Sequence, residues 1–135
     1  MTGKEHGHTP IRVLVVDDEP SICQALDIAL RRAGCEPIVA LDSESALVEL
    51  HSREVDVLLL DLRMPEARGD SLFHLATAIQ PHLARHSLFI TGDVSERAAA
   101  LIRGCGIPFL YKPFDLDALF NAVLALAPAR RDMAG

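Results

Sequence analysis

Short apolar runs alternate with stretches in which apolar residues recur at helical spacing. Ile11-Arg12-Val13-Leu14-Val15-Val16 is apolar and β-branched and ends in Asp17-Asp18-Glu19-Pro20, the pattern of a buried parallel strand running into a polar loop. Pro20 suits a first helical turn, and Ile22, Ala25, Leu26, Ala29, Leu30 and Ala33 then follow a helical stripe that stops at Gly34. Pro37 to Leu41 predicts a second strand, and Asp42-Ser43 caps a helix carrying Ala46, Leu47 and Leu50. Asp56 to Asp61 predicts a central strand, apolar on both faces, followed by a loop with Met64-Pro65 and Gly69. Asp70 is placed to cap a third helix reaching about Gln80. Ser87 to Ile90 predicts a fourth strand. Asp93 and Glu96 have the spacing of a capping box for a helix ending near Arg103, where Gly104-Cys105-Gly106 breaks the pattern. Pro108 to Tyr111 predicts a fifth strand, and Asp115 caps a last helix with Leu116, Leu119, Phe120, Val123 and Leu126 on its stripe.

Strand and helix thus alternate five times. Buried strands between amphipathic helices predict an α/β fold, a parallel sheet covered on both faces. At 135 residues the chain predicts one domain over 11–127, with short tails at 1–10 and 128–135. Such a domain buries a sufficient core without disulfides or a structural metal.

Composition narrows the chemistry. A net charge of −6 argues against bulk attraction to nucleic acid, and Arg130-Arg131 is too small a basic cluster to reverse that. The three cysteines form no CxxC pair, so neither a zinc site nor a thioredoxin-like motif is expected, and reduced thiols fit a cytoplasmic protein. No apolar run is long enough to span a bilayer, and the polar N-terminus with His6 and His8 lacks a signal-peptide stretch. His51, His74, His82 and His86 are expected at the surface.

The polar residues at strand ends point to function. Asp17 and Asp18 follow strand one, Asp61 ends strand three, Thr91 follows strand four and Lys112 ends strand five. In an open parallel sheet these ends share one edge, the edge where such folds bind ligands. Three carboxylates against one ammonium leave uncompensated negative charge, which a hard dication such as magnesium neutralises through oxygen ligands. The set suits phosphoryl transfer, in which protein groups mainly position and neutralise.

At these positions the chain resembles the receiver domain of two-component response regulators. The matching pieces are Val16-Asp17-Asp18-Glu19-Pro20, Leu58 to Met64-Pro65 with Gly69, Thr91-Gly92 and Lys112-Pro113-Phe114, and the likeness covers about residues 11–127. It implies a flavodoxin-like (βα)5 sandwich with strand order 2-1-3-4-5. It also implies that Asp61 takes a phosphoryl group from a histidine kinase or histidine phosphotransfer protein. Asp18, Asp61 and the backbone carbonyl of Arg63 would ligate Mg2+, with Mn2+ as a substitute, and Asp17 would act through metal-bound water. Lys112 and Thr91 would hold phosphoryl oxygens, Phe109 with Thr91 would form the switch, and the Lys112-Pro113 bond would be cis.

The chain departs from the family pattern in the interval from Thr91 to Lys112, slightly shorter than in many members, and in Gly104-Cys105-Gly106-Ile107-Pro108. These features resemble receivers attached to hybrid kinases and their stand-alone relatives. Only residues 128–135 follow the last helix, so output is expected through a downstream protein, as a monomer or a weak phosphorylation-dependent dimer. Nothing beyond self-phosphorylation and self-dephosphorylation is expected as catalysis. Arg63 and Asp93 should sit at the mouth of the site, where they would influence water access.

Rival functions fit less well. Haloacid-dehalogenase-like phosphatases need an acid two residues after the nucleophile, where this chain has Arg63. No P-loop or post-strand G-x-G-x-x-G is present. A pseudo-receiver acting without phosphorylation would be expected to lack one of the five polar positions, and none is lacking. A phospho-His helix bundle is excluded by the strands.

Overall fold

A computed structural model describes residues 9–63 and 69–128, with the side chains of Gly69 and Asp70 left undescribed. Met64-Pro65, the capping role of Asp70, His6, His8 and Arg130-Arg131 therefore lie outside the described residues. Five strands, β1 (Arg12–Val16), β2 (Glu36–Ala40), β3 (Val57–Asp61), β4 (Ser87–Thr91) and β5 (Phe109–Tyr111), alternate with α1 (Pro20–Arg32), α2 (Ser43–Ser52), α3 (Gly69–Ile79), α4 (Glu96–Cys105) and α5 (Leu116–Leu126). The strands form one parallel sheet in the order β2-β1-β3-β4-β5.

The two-residue period of the strands divides the core into two layers. Leu14, Val16, Leu58, Leu60 and Phe89 point to one face, where Ala46 and Leu50 of α2, Leu72, Phe73 and Ala76 of α3 and Ile102 of α4 cover them. Val13, Val15, Val57, Leu59, Leu88 and Ile90 point to the other, against Cys23, Leu26 and Leu30 of α1 and Leu119 and Val123 of α5. Strands covered on both sides read as continuous apolar runs, which is why β1 and β3 stand out in the sequence.

Several local features differ from expectation. The N-cap of α4 is Ser95, not Asp93: Ser95 Oγ accepts the Ala98 amide at 3.1 Å. Asp93 instead accepts the Ser95 amide at 2.9 Å, turning the chain into the helix. The α4 helix also continues through Gly104 and Cys105, ending at Gly106 with φ +71°, a conformation costly for any residue with a Cβ. Asp115 holds the N-cap position of α5 without a side-chain hydrogen bond. A 3₁₀ turn at Pro81–Ala84 follows α3. His82 and His86 are not free surface residues. The His82 ring donates to the Val55 carbonyl at 2.6 Å, and the His86 ring donates to the Leu126 carbonyl. At the same end of the sheet Gln80 accepts the Val55 amide at 2.9 Å and donates to the carbonyls of Leu50 and Arg53, each at 2.8 Å.

Candidate functional site

The strand order places β1 beside β3, with Val16 level with Leu60, so Asp17 and Asp61 emerge side by side. This is the topological switch point, because the chain leaves β1 toward β2 and returns to β3 on the other side. Asp61 is level with Ile90 of β4, and Thr91 with Tyr111 of β5, which brings Thr91 and Lys112 to the same edge. Backbone hydrogen bonds continue past the strand ends: Asp17 N to Ala40 O at 3.2 Å, Leu62 N to Ile90 O at 3.1 Å and Lys112 N to Thr91 O at 2.8 Å. The Lys112-Pro113 bond is cis.

One turn recurs at three strand ends. Asp17 Oδ1 accepts the Glu19 amide at 2.9 Å, Asp61 Oδ1 the Arg63 amide at 3.1 Å, and Thr91 Oγ1 the Asp93 amide at 2.9 Å. Each inner side chain bonds the amide two residues on, the local chemistry for which Asp and Thr are suited at strand exits. The inner residues Asp17, Asp61 and Thr91 are buried. The outer residues of these turns, Glu19, Arg63 and Asp93, are all charged and form a rim. Arg63 Nε and Asp93 Oδ2 face each other there at 3.9 Å.

Lys112 occupies the centre. Its Nζ is 2.6 Å from Glu19 Oε1, 2.9 Å from Asp17 Oδ2 and 3.6 Å from Asp61 Oδ2. Burial lowers the pKa of the ammonium, but the carboxylates of Asp17 and Glu19 in close contact with it and the charge of Asp61 outweigh this, so Lys112 is held more firmly protonated than usual. Asp61 moves the other way: burial, opposed by the Arg63 amide and Lys112 and reinforced by Asp17 and Asp18, raises its carboxyl to about 6. Cys23 supports the site from below, its thiol donating to the Asp17 carbonyl at 3.2 Å. Burial and the nearby Asp17 charge push that thiol up to about 11, which keeps it a donor.

Among the described residues, carboxylate oxygens of Asp17, Glu19 and Asp61 lie within 4.8 Å of one another. The all-oxygen donor set fits a hard cation. Asp17 Oδ2, fully buried, meets Lys112 as an ion pair but has no aligned hydrogen-bond donor, which leaves it open to a metal ligand role. Asp18, half-buried, is near enough to raise Asp61 but is not among the three converging acids. Sequence reasoning gave Glu19 no role. Its position two residues beyond Asp17, inside the same turn that carries Arg63 and Asp93, is the signal that locates it.

Comparison with known proteins agrees with the fold. The response regulator receiver domain family matches residues 13–124. The transcriptional regulatory protein GlrR of Escherichia coli is 34% identical over 116 residues, covering 86% of this chain and 26% of that protein. The CAI-1 autoinducer sensor kinase/phosphatase CqsS of Vibrio cholerae is 34% identical over 116 residues, covering 84% of this chain and 17% of its own length. The chain thus spans only a fraction of these relatives. Among solved structures, a response regulator receiver protein from Pseudomonas putida superposes with TM-score 0.79 at 29% identity, covering 87% of this chain and 98% of that one. Vibrio cholerae chemotaxis protein CheY4 superposes with TM-score 0.79 at 27% identity, covering 87% and 99%. With its switch-point acids, its lysine and a match across most of its length, the chain belongs to the response regulator receiver domain family.

Proposed function

We propose that Asp61 accepts a phosphoryl group from a histidine kinase or histidine phosphotransfer protein, with Mg2+ as cofactor, and that the phosphorylated domain acts by binding another protein in the cytoplasm. The observation that carries this reading is a buried carboxylate, Asp61, held between a second buried acid and a lysine at the switch point of the sheet. An Asp61 oxygen would bond to phosphorus as the P–N bond of the donor phosphohistidine breaks. The electron pair returns to the imidazole, which leaves as neutral histidine once the ring carries one proton. Asp17, Asp18, Asp61 and the Arg63 carbonyl are the groups to hold magnesium, Asp17 through bound water. Bound there, the metal would supply positive charge against the excess negative charge of this edge and of an incoming phosphoryl group.

The chain's own residues do the positioning. Lys112 stays protonated and pairs with a phosphoryl oxygen. Thr91 Oγ1 accepts the Asp93 amide and retains a hydroxyl proton to donate to another. Phe109 lies exposed beside Tyr111, ring centroids 5.1 Å apart, and is the aromatic that would turn inward with Thr91 on phosphorylation. Among the described residues no helix is long and apolar enough to cross a membrane.

Incubation with acetyl phosphate and Mg2+, followed by intact-protein mass measurement, tests the proposal. The expected result is a gain of one phosphoryl group, lost in Asp61→Asn and in EDTA. No gain with any small donor or kinase would overturn it in favour of a phosphorylation-independent interaction module.

A further inference from the structure

The ammonium of Lys112 is drawn closest to the one acid of its three that lies on the rim. Glu19 Oε1 is 2.6 Å away, against 3.6 Å for Asp61 Oδ2. Asp17 and Asp61 are buried and each is anchored by the amide two residues on. Glu19 differs: its backbone is anchored to Asp17, but its side chain is 55% exposed and reaches back over the site to Lys112. Arg63 and Asp93, set on the rim by the same kind of turn, face each other instead.

We infer that Glu19 is a positioning residue that holds Lys112 toward β1 in the unphosphorylated protein and must release it before the ammonium can pair with a phosphoryl group on Asp61. This rests on the phosphoacceptor reading above. The energies allow such an exchange. A phosphoryl group carries close to two negative charges and several acceptor oxygens, whereas a half-exposed carboxylate–ammonium pair contributes little. Lys112 therefore transfers when phosphate arrives and returns when it leaves. Glu19 is also one of the three acids whose carboxylate oxygens could face a cation. Holding the ammonium and holding a cation compete for the charge of that one carboxylate, and the two roles predict opposite effects of removing it.

Glu19→Gln and Glu19→Asp separate them. In metal-free protein, the side-chain ammonium NMR signal of Lys112 should be protected from exchange in the wild type and lose that protection in Glu19→Gln. With acetyl phosphate and Mg2+, intact-mass time courses should show Glu19→Gln phosphorylated up to about five-fold faster, the size set by an exposed ion pair. Mg2+ affinity by calorimetry should stay within about two-fold. Glu19→Asp, shorter but charged, should fall between. Mg2+ binding weakened about ten-fold or more in Glu19→Gln would make Glu19 a metal ligand and overturn the inference. Slower phosphorylation would overturn it, as would an unchanged rate with an unchanged Lys112 signal. A wild-type protein that takes up no phosphoryl group would instead sink the phosphoacceptor reading, and this one with it.

Discussion

Asp61 Oδ2 stands 3.6 Å from Lys112 Nζ, too long for a hydrogen bond, while Asp61 Oδ1 accepts the Arg63 amide at 3.1 Å. The Asp61 carboxylate is thus only partly neutralised by its nearest cation, and burial dominates its protonation.

A stability consequence follows for the metal-free protein. The Asp61 pKa rises from 3.8 to about 6 on folding, so between those values the folded state binds more protons than the unfolded. Stability then falls as pH rises through this window and the deficit is complete above it. A shift of this size corresponds to about 3 kcal/mol at most. Asp61→Asn should therefore be more stable than wild type at pH 7.5 in EDTA, by about 1 to 3 kcal/mol in urea denaturation. The gap should narrow toward pH 5. A destabilised Asp61→Asn at neutral pH would contradict this account.

Magnesium should reverse part of that penalty. Binding to the folded state alone raises the melting temperature with metal concentration. The effect should weaken in Asp17→Asn, because Asp17 Oδ2 is a buried carboxylate oxygen of this edge without an aligned donor. Thermal melts across a Mg2+ titration read this directly, and equal stabilisation of both proteins would remove Asp17 from the metal site.

The pair formed by Arg63 and Asp93 closes the rim between β3 and β4 at 3.9 Å. Arg63→Ala and Asp93→Ala should each change the decay of the acyl phosphate, speeding it by admitting water. An exposed pair supports an effect up to about five-fold, with the double variant no faster than either single one. Decay curves that overlay the wild type would dismiss any role for the rim in timing.

Gln80 offers the opposite test, at the far end of the sheet. Its amide group serves Val55, Leu50 and Arg53 together, so Gln80→Ala leaves three backbone groups to find water, those of Val55 and Leu50 in partly buried bonds. A loss of about 2 to 3 kcal/mol is expected, with phosphorylation rate and Mg2+ affinity unchanged. A matching loss of phosphorylation would mean the two ends of the sheet are coupled.

The strands and the inner site residues were legible because their chemistry is local. Val57 to Leu60 announce a doubly covered strand, and Asp17, Asp61, Thr91 and Lys112 each stand at a strand end that the topology must bring to one edge. What was illegible depends on geometry between segments. Glu19 reads as one more acid before Pro20 until Lys112 arrives from β5. Ser95 and Asp93 both carry N-cap chemistry, and only the direction of the incoming chain selects Ser95. His82 and His86 look solvated in sequence, and their carbonyl partners come from Val55 and Leu126, distant along the chain.

The turn repeated at Asp17, Asp61 and Thr91 separates two properties of the site. The inner residue makes the bend and belongs to the proposed reacting centre, while the residue two positions on contributes a backbone amide to the bend. Glu19 and Arg63 can therefore be exchanged without rebuilding the loops that carry them, whereas the Asp93 side chain also holds the turn into α4 through the Ser95 amide. On the proposed reading, the tempo of the signal becomes adjustable at two positions whose replacement leaves the architecture of the acceptor intact.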